Sequence, residues 1–121
     1  MKPNEKGLKR IVSATGYSIH GMGFAWKNEA AFRQEIILLL VLVPFGIWLG
    51  SNGVERALLV GSCFIVIIVE LLNSGIEAVI DRIGADYHKL SGAAKDLGSA
   101  AVFFSLVLVV VTWTTVLWGN L

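Results

Sequence analysis

The segment VELLNSGIEAVIDR, residues 69–82, follows the uncharged run ALLVGSCFIVII, residues 57–68, without a spacer. At 100° per residue, its polar residues fall within one stripe about 80° wide. These are Glu70, Asn73, Glu77 and Asp81, with Ser74 beside them. Because a carboxylate in hydrocarbon costs at least ~2.5 kcal/mol, such a residue within a membrane span indicates a function. The segment therefore predicts a long helix that crosses a membrane and turns its polar stripe towards a partner helix or a cleft.

The whole chain has the hydropathy of a membrane protein. Its 121 residues are 55% hydrophobic and 16% charged, and the mean hydropathy of +0.73 is too high for an ordinary soluble domain. The charge-free stretches are 36–54, 57–69 and 97–121. A bilayer core of about 30 Å needs about 20 helical residues. We predict an all-α membrane protein, a single domain over residues 1–121, with spans at 30–49, 54–83 and 91–119 and with Ser91 as the N-cap of the third span.

Residues 6–27 predict a helix of another kind. Leu8, Ile11, Ile19 and Trp26 belong to an apolar stripe with i, i+3, i+4, i+7 spacing, and the basic residues of the segment lie off that stripe. A basic amphipathic helix that leads directly into a span is typical of a helix lying in the membrane interface. The alternative, a solvated helix of a soluble domain, has nothing else in the chain to pack against.

The distribution of positive charge predicts the orientation. Six Lys and Arg residues precede the first charge-free stretch and three lie between the second and third, whereas only Arg56 lies between the first and second. By the positive-inside rule, the N-terminus and the loop at 82–96 are expected in the cytoplasm and the C-terminus outside.

The depth of the carboxylates indicates what they could do. Counted from Val54, Glu70 lies about 24 Å and Glu77 about 35 Å along the helix, on either side of the inner boundary of a ~30 Å core. Glu70 could take a proton from a lipid hydroxyl, and Glu77 could meet a water-borne cosubstrate. Glu29 lies at the same level, and carboxylates from two helices suit Mg²⁺. Further polar candidates on this side, of which the basic ones could neutralise phosphate charge, are Arg10, His88, Lys95 and Asp96.

Other interpretations stay open at this point. The pairs that could be ordinary surface ion pairs are Glu29–Arg33, Asp81–Arg82 and Asp86–Lys89. A second class of function is a non-enzymatic proton or ion conductor, although its carboxylates should lie nearer the membrane midplane. The sequence has no P-loop, no G-x-G-x-x-G loop and no soluble-kinase motif set, so any nucleotide chemistry must use another architecture.

Three segments resemble the small integral-membrane diacylglycerol kinases of bacteria: RIVSATGYS (10–18), AWKNEAAFRQE (25–35) and VELLNSGIEAVIDRIGADYHKLSGAAKDLGSAAV (69–102). The resemblance covers nearly the whole chain. It implies a homotrimeric bundle in the bacterial cytoplasmic (inner) membrane, with active sites between neighbouring subunits. It also implies MgATP-dependent phosphorylation of the sn-3 hydroxyl of diacylglycerol to phosphatidic acid. The same family contains undecaprenol kinases, and NEAAFRQE is closer to the diacylglycerol-specific branch.

The resemblance also implies roles for individual residues. Glu70 would be the catalytic general base, and Glu29 and Glu77 would hold the metal. The ATP-binding residues would be Arg10, Tyr17, Glu29, Glu77, Asp86, Tyr87, His88, Lys95 and Asp96. The lipid substrate would meet Arg10, Ala31, Arg33, Gln34, Glu35, Trp48, Glu70, Asn73, Ser99 and Trp113. The chain departs from the family pattern at His20, Gly23 and Ala93, where basic side chains are expected.

Overall fold

Four α-helices make up the computed structural model over the residues that it describes, 4–84 and 86–121. They are α1, Gly7–Asn28; α2, Ala30–Leu49; α3, Gly53–Ile83; and α4, Lys89–Gly119. The last three are long and apolar enough to cross a membrane, which confirms the prediction of an all-α protein with three spans. α3 packs along both α2 and α4, and α1 touches α2 and α3 less extensively. The chain is therefore organised around α3.

The structure corrects the start of the last helix. α4 begins at Lys89, and its N-cap is His88 instead of the predicted Ser91. The imidazole Nδ1 of His88 accepts a hydrogen bond from the backbone N–H of Leu90 at 3.1 Å. The ring thus replaces the side-chain oxygen that usually caps a helix, and it satisfies one of the N–H groups left free in the first turn. The helix can start earlier because this acceptor is available.

Two tight corners join the first three helices. Glu29 alone separates α1 from α2, in an extended conformation with φ −121° and ψ 105°. Residues 50–52 separate α2 from α3, and Asn52 caps α3 by accepting a hydrogen bond from the backbone N–H of Glu55 at 2.9 Å. A Cβ atom on Gly50 would lie 3.0 Å from the backbone nitrogen of Arg56. Glycine therefore permits the close approach at this second corner.

The three spans meet at Leu59, a fully buried residue of α3. A Cβ atom on Gly46 would lie 3.2 Å from the Leu59 Cβ and 3.4 Å from the Trp113 ring. The carbonyl oxygen of Leu59 accepts hydrogen bonds from the Trp113 indole at 3.1 Å, the Ser62 hydroxyl at 2.9 Å and the Cys63 thiol at 3.5 Å. We call this cluster the Leu59 junction. The hydrogen bond from Trp113 joins α4 to α3, and Gly46 allows α2 to pack closely against both helices.

The apolar stripe of α1 is largely exposed. Leu8, Ile11, Val12 and Ile19 are all exposed, and only Ala25 of this helix is buried. An exposed apolar face on a helix that leads into a span fits a position in the membrane interface. That position stays a prediction.

Candidate active site

The polar stripe of α3 faces the other helices. Glu70, Asn73 and Ser74 are buried, Glu77 is half-buried, and Asp81 is exposed near the end of the helix. Glu70 retains 3% of its accessible surface. The opposite side of α3 carries exposed apolar residues such as Leu72 and Val79. The predicted direction of the stripe is therefore confirmed for its buried members.

A second carboxyl group lies next to that of Glu70. Glu35 of α2 is half-buried, and its carboxyl group lies close to that of Glu70. Its Oε2 atom is buried and has no hydrogen-bond partner among the residues that the structure describes. Glu35 also lines a cavity of about 150 Å³ between the three spans, whose other walls are aliphatic side chains and Cys63. Glu35 thus places one carboxyl group of the pair in the wall of an otherwise apolar cavity.

Asn73 connects this buried pair to the end of the helix. Its side-chain N–H donates to Glu77 Oε1 at 3.4 Å, and its Oδ1 is buried without a partner in the described chain. Gly98 of α4 packs directly on this amide: a Cβ atom there would overlap Asn73 Oδ1 and lie 3.1 Å from its Cγ. The amide can point along α3 towards Glu77 only because residue 98 has no side chain.

Glu29 projects its carboxylate from the corner between α1 and α2. The side chain makes no capping hydrogen bond to α2. Burial, and then the charges of Glu77 and Asp81, raise the pKa of the Glu29 carboxyl group above its ordinary value. Carboxylates from the corner and from α3 are therefore close enough to repel one another, and a cation between them would relieve that repulsion.

Glu29 and Glu77 fit a magnesium ion that arrives with a nucleotide. Within residues 4–84 and 86–121, no three His, Cys, Asp or Glu side chains are arranged to hold a metal on their own. Mg²⁺ is usually bound by one or two carboxylates together with water and substrate phosphate oxygens. Two facing carboxylates suit that mode of binding and do not suit a closed metal cage.

A surface cavity of about 440 Å³ opens where α3 ends and α4 begins. It brings together four of the predicted ATP-binding residues, namely Asp86, Tyr87, His88 and Lys95. Lys95 Nζ forms an ion pair with Asp81 Oδ1 at 3.2 Å on its rim. The other predicted ATP-binding residues do not line this cavity: Asp96 is exposed on α4, Arg10 and Tyr17 are exposed on α1, and Glu29 and Glu77 lie nearer Glu70.

The predicted lipid-contacting residues fall into separate groups. Ala31, Gln34 and Ser99 are exposed, and Glu35, Glu70 and Asn73 form the buried cluster. Trp48 is exposed at the far end of α2. Trp113 belongs to the Leu59 junction and lies about 21 Å along α4 from Ser99. The structure does not bring the two tryptophans to Glu70.

Arg33 makes contacts that the sequence did not indicate. Its Nη1 donates to the backbone carbonyl oxygens of Trp26 at 2.7 Å and Lys27 at 3.5 Å. The ion pair that could have joined it to Glu29 is not formed. Within the described chain the sole ion pair is the one between Lys95 and Asp81, so the other two candidate surface pairs are not formed either.

The fold and these side chains define a multi-pass membrane protein with an acidic site at one end of its bundle. The family model for prokaryotic diacylglycerol kinase matches residues 16–117. The diacylglycerol kinase of Escherichia coli (strain K12) is 51% identical over 120 residues, 99% of this chain and 98% of that protein. That of Pseudomonas aeruginosa is 50% identical over 115 residues, 95% of this chain and 94% of that protein.

A more distant relative, the diacylglycerol kinase of Helicobacter pylori (strain 26695), is 40% identical over 118 residues, 98% of this chain and 88% of that protein. The chain therefore belongs to the prokaryotic diacylglycerol kinase family. It is an enzyme, a kinase of the bacterial inner membrane.

Proposed function

We propose that this protein transfers the γ-phosphoryl group of ATP to the sn-3 hydroxyl group of diacylglycerol. The lipid oxygen bonds to the γ-phosphorus, the bond from that phosphorus to the bridging oxygen breaks, and phosphatidic acid and ADP result. The observation that carries the proposal is the gathering of carboxylates at one end of α3. Glu70 lies buried near Glu35, and Glu29 lies near Glu77 at the adjacent surface.

Glu70 is the general base of this proposal. It is buried near Glu35, which lines a cavity with mostly aliphatic walls, and we propose that the alcohol of the lipid reaches Glu70 from there. A base in that position accepts the hydroxyl proton as the lipid oxygen attacks. Glu35 and the amide of Asn73 offer further polar atoms for the glycerol group of the lipid.

Glu29 and Glu77 would hold Mg²⁺ together with the ATP phosphates. Bound there, Mg²⁺ would supply positive charge to the phosphate oxygens during transfer. Asn73 keeps Glu77 in place through its amide N–H. Lys95, which is only half covered and is paired with exposed Asp81, is free to turn towards a phosphate. The cavity lined by Asp86, Tyr87 and His88 would receive the rest of the nucleotide.

We further propose that the acidic end faces the cytoplasm and that the active unit is a homotrimer. Nine of ten Lys and Arg residues lie on that side by the topology given above, and ATP is a cytoplasmic substrate. Three thin spans leave large apolar residues such as Leu72, Ile76 and Val79 exposed on the side of α3 opposite the polar stripe. Contact with neighbouring subunits would cover part of this apolar surface.

Two other functions compete with this one. An undecaprenol kinase would share the carboxylates and differ in the alcohol, whereas a proton or ion conductor would need no nucleotide. Nucleotide-dependent transfer is favoured because the acidic cluster lies beside a surface cavity that carries Lys95 and His88. The names of the relatives favour diacylglycerol as the acceptor.

The test offers diacylglycerol and undecaprenol in parallel to purified protein in mixed micelles with MgATP. We expect phosphatidic acid to form, Glu70→Gln to lower kcat about 10²- to 10⁴-fold, and Glu77→Gln to raise the Mg²⁺ requirement. Glu55→Gln is the matched control, because Glu55 lies on the same helix at its opposite end. Transfer to neither lipid would refute the proposed function, and full activity of Glu70→Gln would refute the assignment of the base.

A further inference from the structure

A side chain of α2 closes the corner between α1 and α2 by bonding to the end of α1. The last carbonyl groups of a helix have no partners within it, and α1 is followed by only one residue before α2 begins. Arg33, one turn into α2, reaches back to these carbonyls. Its Nη1 donates to Trp26 O at 2.7 Å and to Lys27 O at 3.5 Å. A guanidinium group at this point also complements the negative end of the α1 dipole.

The backbone N–H of Arg33 also forms a hydrogen bond at this corner. The backbone N–H of Glu29 donates to Ala25 O at 2.8 Å, and the backbone carbonyl of Glu29 accepts from the N–H of Arg33 at 3.3 Å. Glu29 is therefore fastened on one side to the last turn of α1 and on the other to Arg33. The Arg33 side chain spans the corner and joins the two sides. Rotation of α1 relative to α2 would have to break its contact with Trp26.

We propose that Arg33 is a positioning residue for Glu29: it fixes the angle between α1 and α2 so that the Glu29 carboxylate faces Glu77. This rests on the proposed function, in which those two carboxylates bind Mg²⁺ with ATP. It differs from the lipid contact that the family resemblance implies for Arg33. The guanidinium group is engaged with α1, and within residues 4–84 and 86–121 it forms no ion pair with a carboxylate.

The molecule contains a matched control for this proposal. At the corner between α2 and α3, Arg56 Nε donates to the backbone carbonyl of Ile47 at 2.9 Å, near the end of α2. Gly50 packs against the Arg56 side chain. This arginine closes a helix end in the same way as Arg33, but its corner carries none of the residues assigned to metal or nucleotide. Its loss should affect stability and leave metal binding unchanged.

The test compares Arg33→Ala, Arg33→Lys and Arg56→Ala with the natural protein. Binding of Mn²⁺ in the presence of a non-hydrolysable ATP analogue is followed by the loss of the free Mn²⁺ signal in electron paramagnetic resonance, and the KM for diacylglycerol is measured separately. We expect Arg33→Ala to weaken Mn²⁺ binding about 10-fold or more, as loss of an outer support for a metal ligand does. The KM for lipid should change less than about twofold, because lipid is bound elsewhere.

Arg33→Lys keeps a positive charge near the end of α1 and should fall between Arg33→Ala and the natural protein. Arg56→Ala should bind Mn²⁺ as the natural protein does. A raised KM for lipid with unchanged Mn²⁺ binding in the Arg33 variants would overturn the inference, as would equal losses of Mn²⁺ binding in Arg33→Ala and Arg56→Ala. If Arg33→Ala does not fold, Arg33→Lys decides the same question. Failure of the proposed function would be recognised separately, as absence of lipid phosphorylation by the natural protein.

Discussion

Buried polar groups at the two ends of α3 differ in whether they have hydrogen-bond partners. At the Leu59 junction, three side chains donate to a single carbonyl oxygen. Glu70 lies eleven residues further on, about 16 Å along the helix. Around it, buried side-chain oxygens lack partners among the described residues; they are Glu35 Oε2, Asn73 Oδ1 and Ser74 Oγ. One further buried oxygen of this kind, on Glu5, precedes α1.

This difference separates a part of the molecule built for stability from a part built for binding. A buried polar atom without a partner costs about 1–3 kcal/mol, so folding alone would favour its replacement. The Leu59 junction avoids this cost by supplying donors and an acceptor from the chain itself. The Glu70 end accepts the cost, which is consistent with a site whose polar atoms await a substrate. Substitutions at the Leu59 junction should therefore mainly change stability, and substitutions near Glu70 should mainly change activity.

Among the substitutions that compare the two ends of α3, the largest effect is expected at Gly98. In Gly98→Ala the new methyl group overlaps the Asn73 amide, and the amide must move away from Glu77. We expect kcat/KM to fall about 10²-fold, as a misplacement of about 1 Å in a catalytic site can cause. Lipid kinase assays in mixed micelles measure this. Gly61→Ala is the control, because a Cβ atom on Gly61 meets open space; an equal loss in both variants would contradict the explanation.

A methyl group at the other end should act on stability. In Gly46→Ala the added Cβ atom lies 3.2 Å from the Leu59 side chain and 3.4 Å from the Trp113 ring. Overpacking of this kind costs about 1–3 kcal/mol. We expect unfolding by sodium dodecyl sulfate to occur at a lower detergent fraction, with kcat of the folded protein unchanged. A fall in kcat without loss of stability would break the proposed division between the two ends.

Trp113→Phe should have a smaller effect of the same kind. The substitution removes the indole N–H that donates to Leu59 O at 3.1 Å and keeps an aromatic ring beside Gly46. Hydrogen bonds between membrane helices are worth about 0.6–2 kcal/mol, so the loss of stability should lie in that range. The family resemblance instead implies a lipid contact for Trp113. A raised KM for diacylglycerol with unchanged stability would support that role.

The smallest and most discriminating comparison uses two serines on α3. The Ser62 hydroxyl donates to Leu59 O at 2.9 Å, whereas the Ser74 hydroxyl is buried without a partner in the described chain. Ser62→Ala should destabilise the protein by about 0.5–1 kcal/mol, and Ser74→Ala should be neutral or stabilising by a similar amount. Both are measured by unfolding in detergent. Changes of the same sign would show that the two ends do not differ in this respect.

The features that could be predicted from the sequence are those that depend on residues within a single helix. Hydropathy and length gave the three spans, and helical periodicity gave the direction of the stripe that buries Glu70 and Asn73. Both depend only on neighbours along the chain. Neither pattern indicated that Gly98 of α4 packs on the Asn73 amide.

The features that could not be predicted depend on angles between helices or on loops. Sequence spacing suggested an ion pair between Arg33 and Glu29, but the free carbonyls at the end of α1 are closer acceptors once the corner has formed. His88, in an extended backbone conformation, caps α4 through its imidazole ring, which no periodicity encodes. The resemblance implied a lipid contact for Trp113, and its bond to Leu59 required knowledge of how α3 and α4 pack.

The single residue between α1 and α2 has a consequence for how the gene can vary. Inserting one amino acid within the last turns of α1 would rotate the preceding part of the helix by about 100°, so its apolar stripe would turn away from its present direction. Deleting one amino acid would rotate that part of the helix by a similar angle in the opposite direction. Length changes should therefore be selected against between about residue 20 and Glu29 and tolerated ahead of Gly7, where the helix has not yet begun.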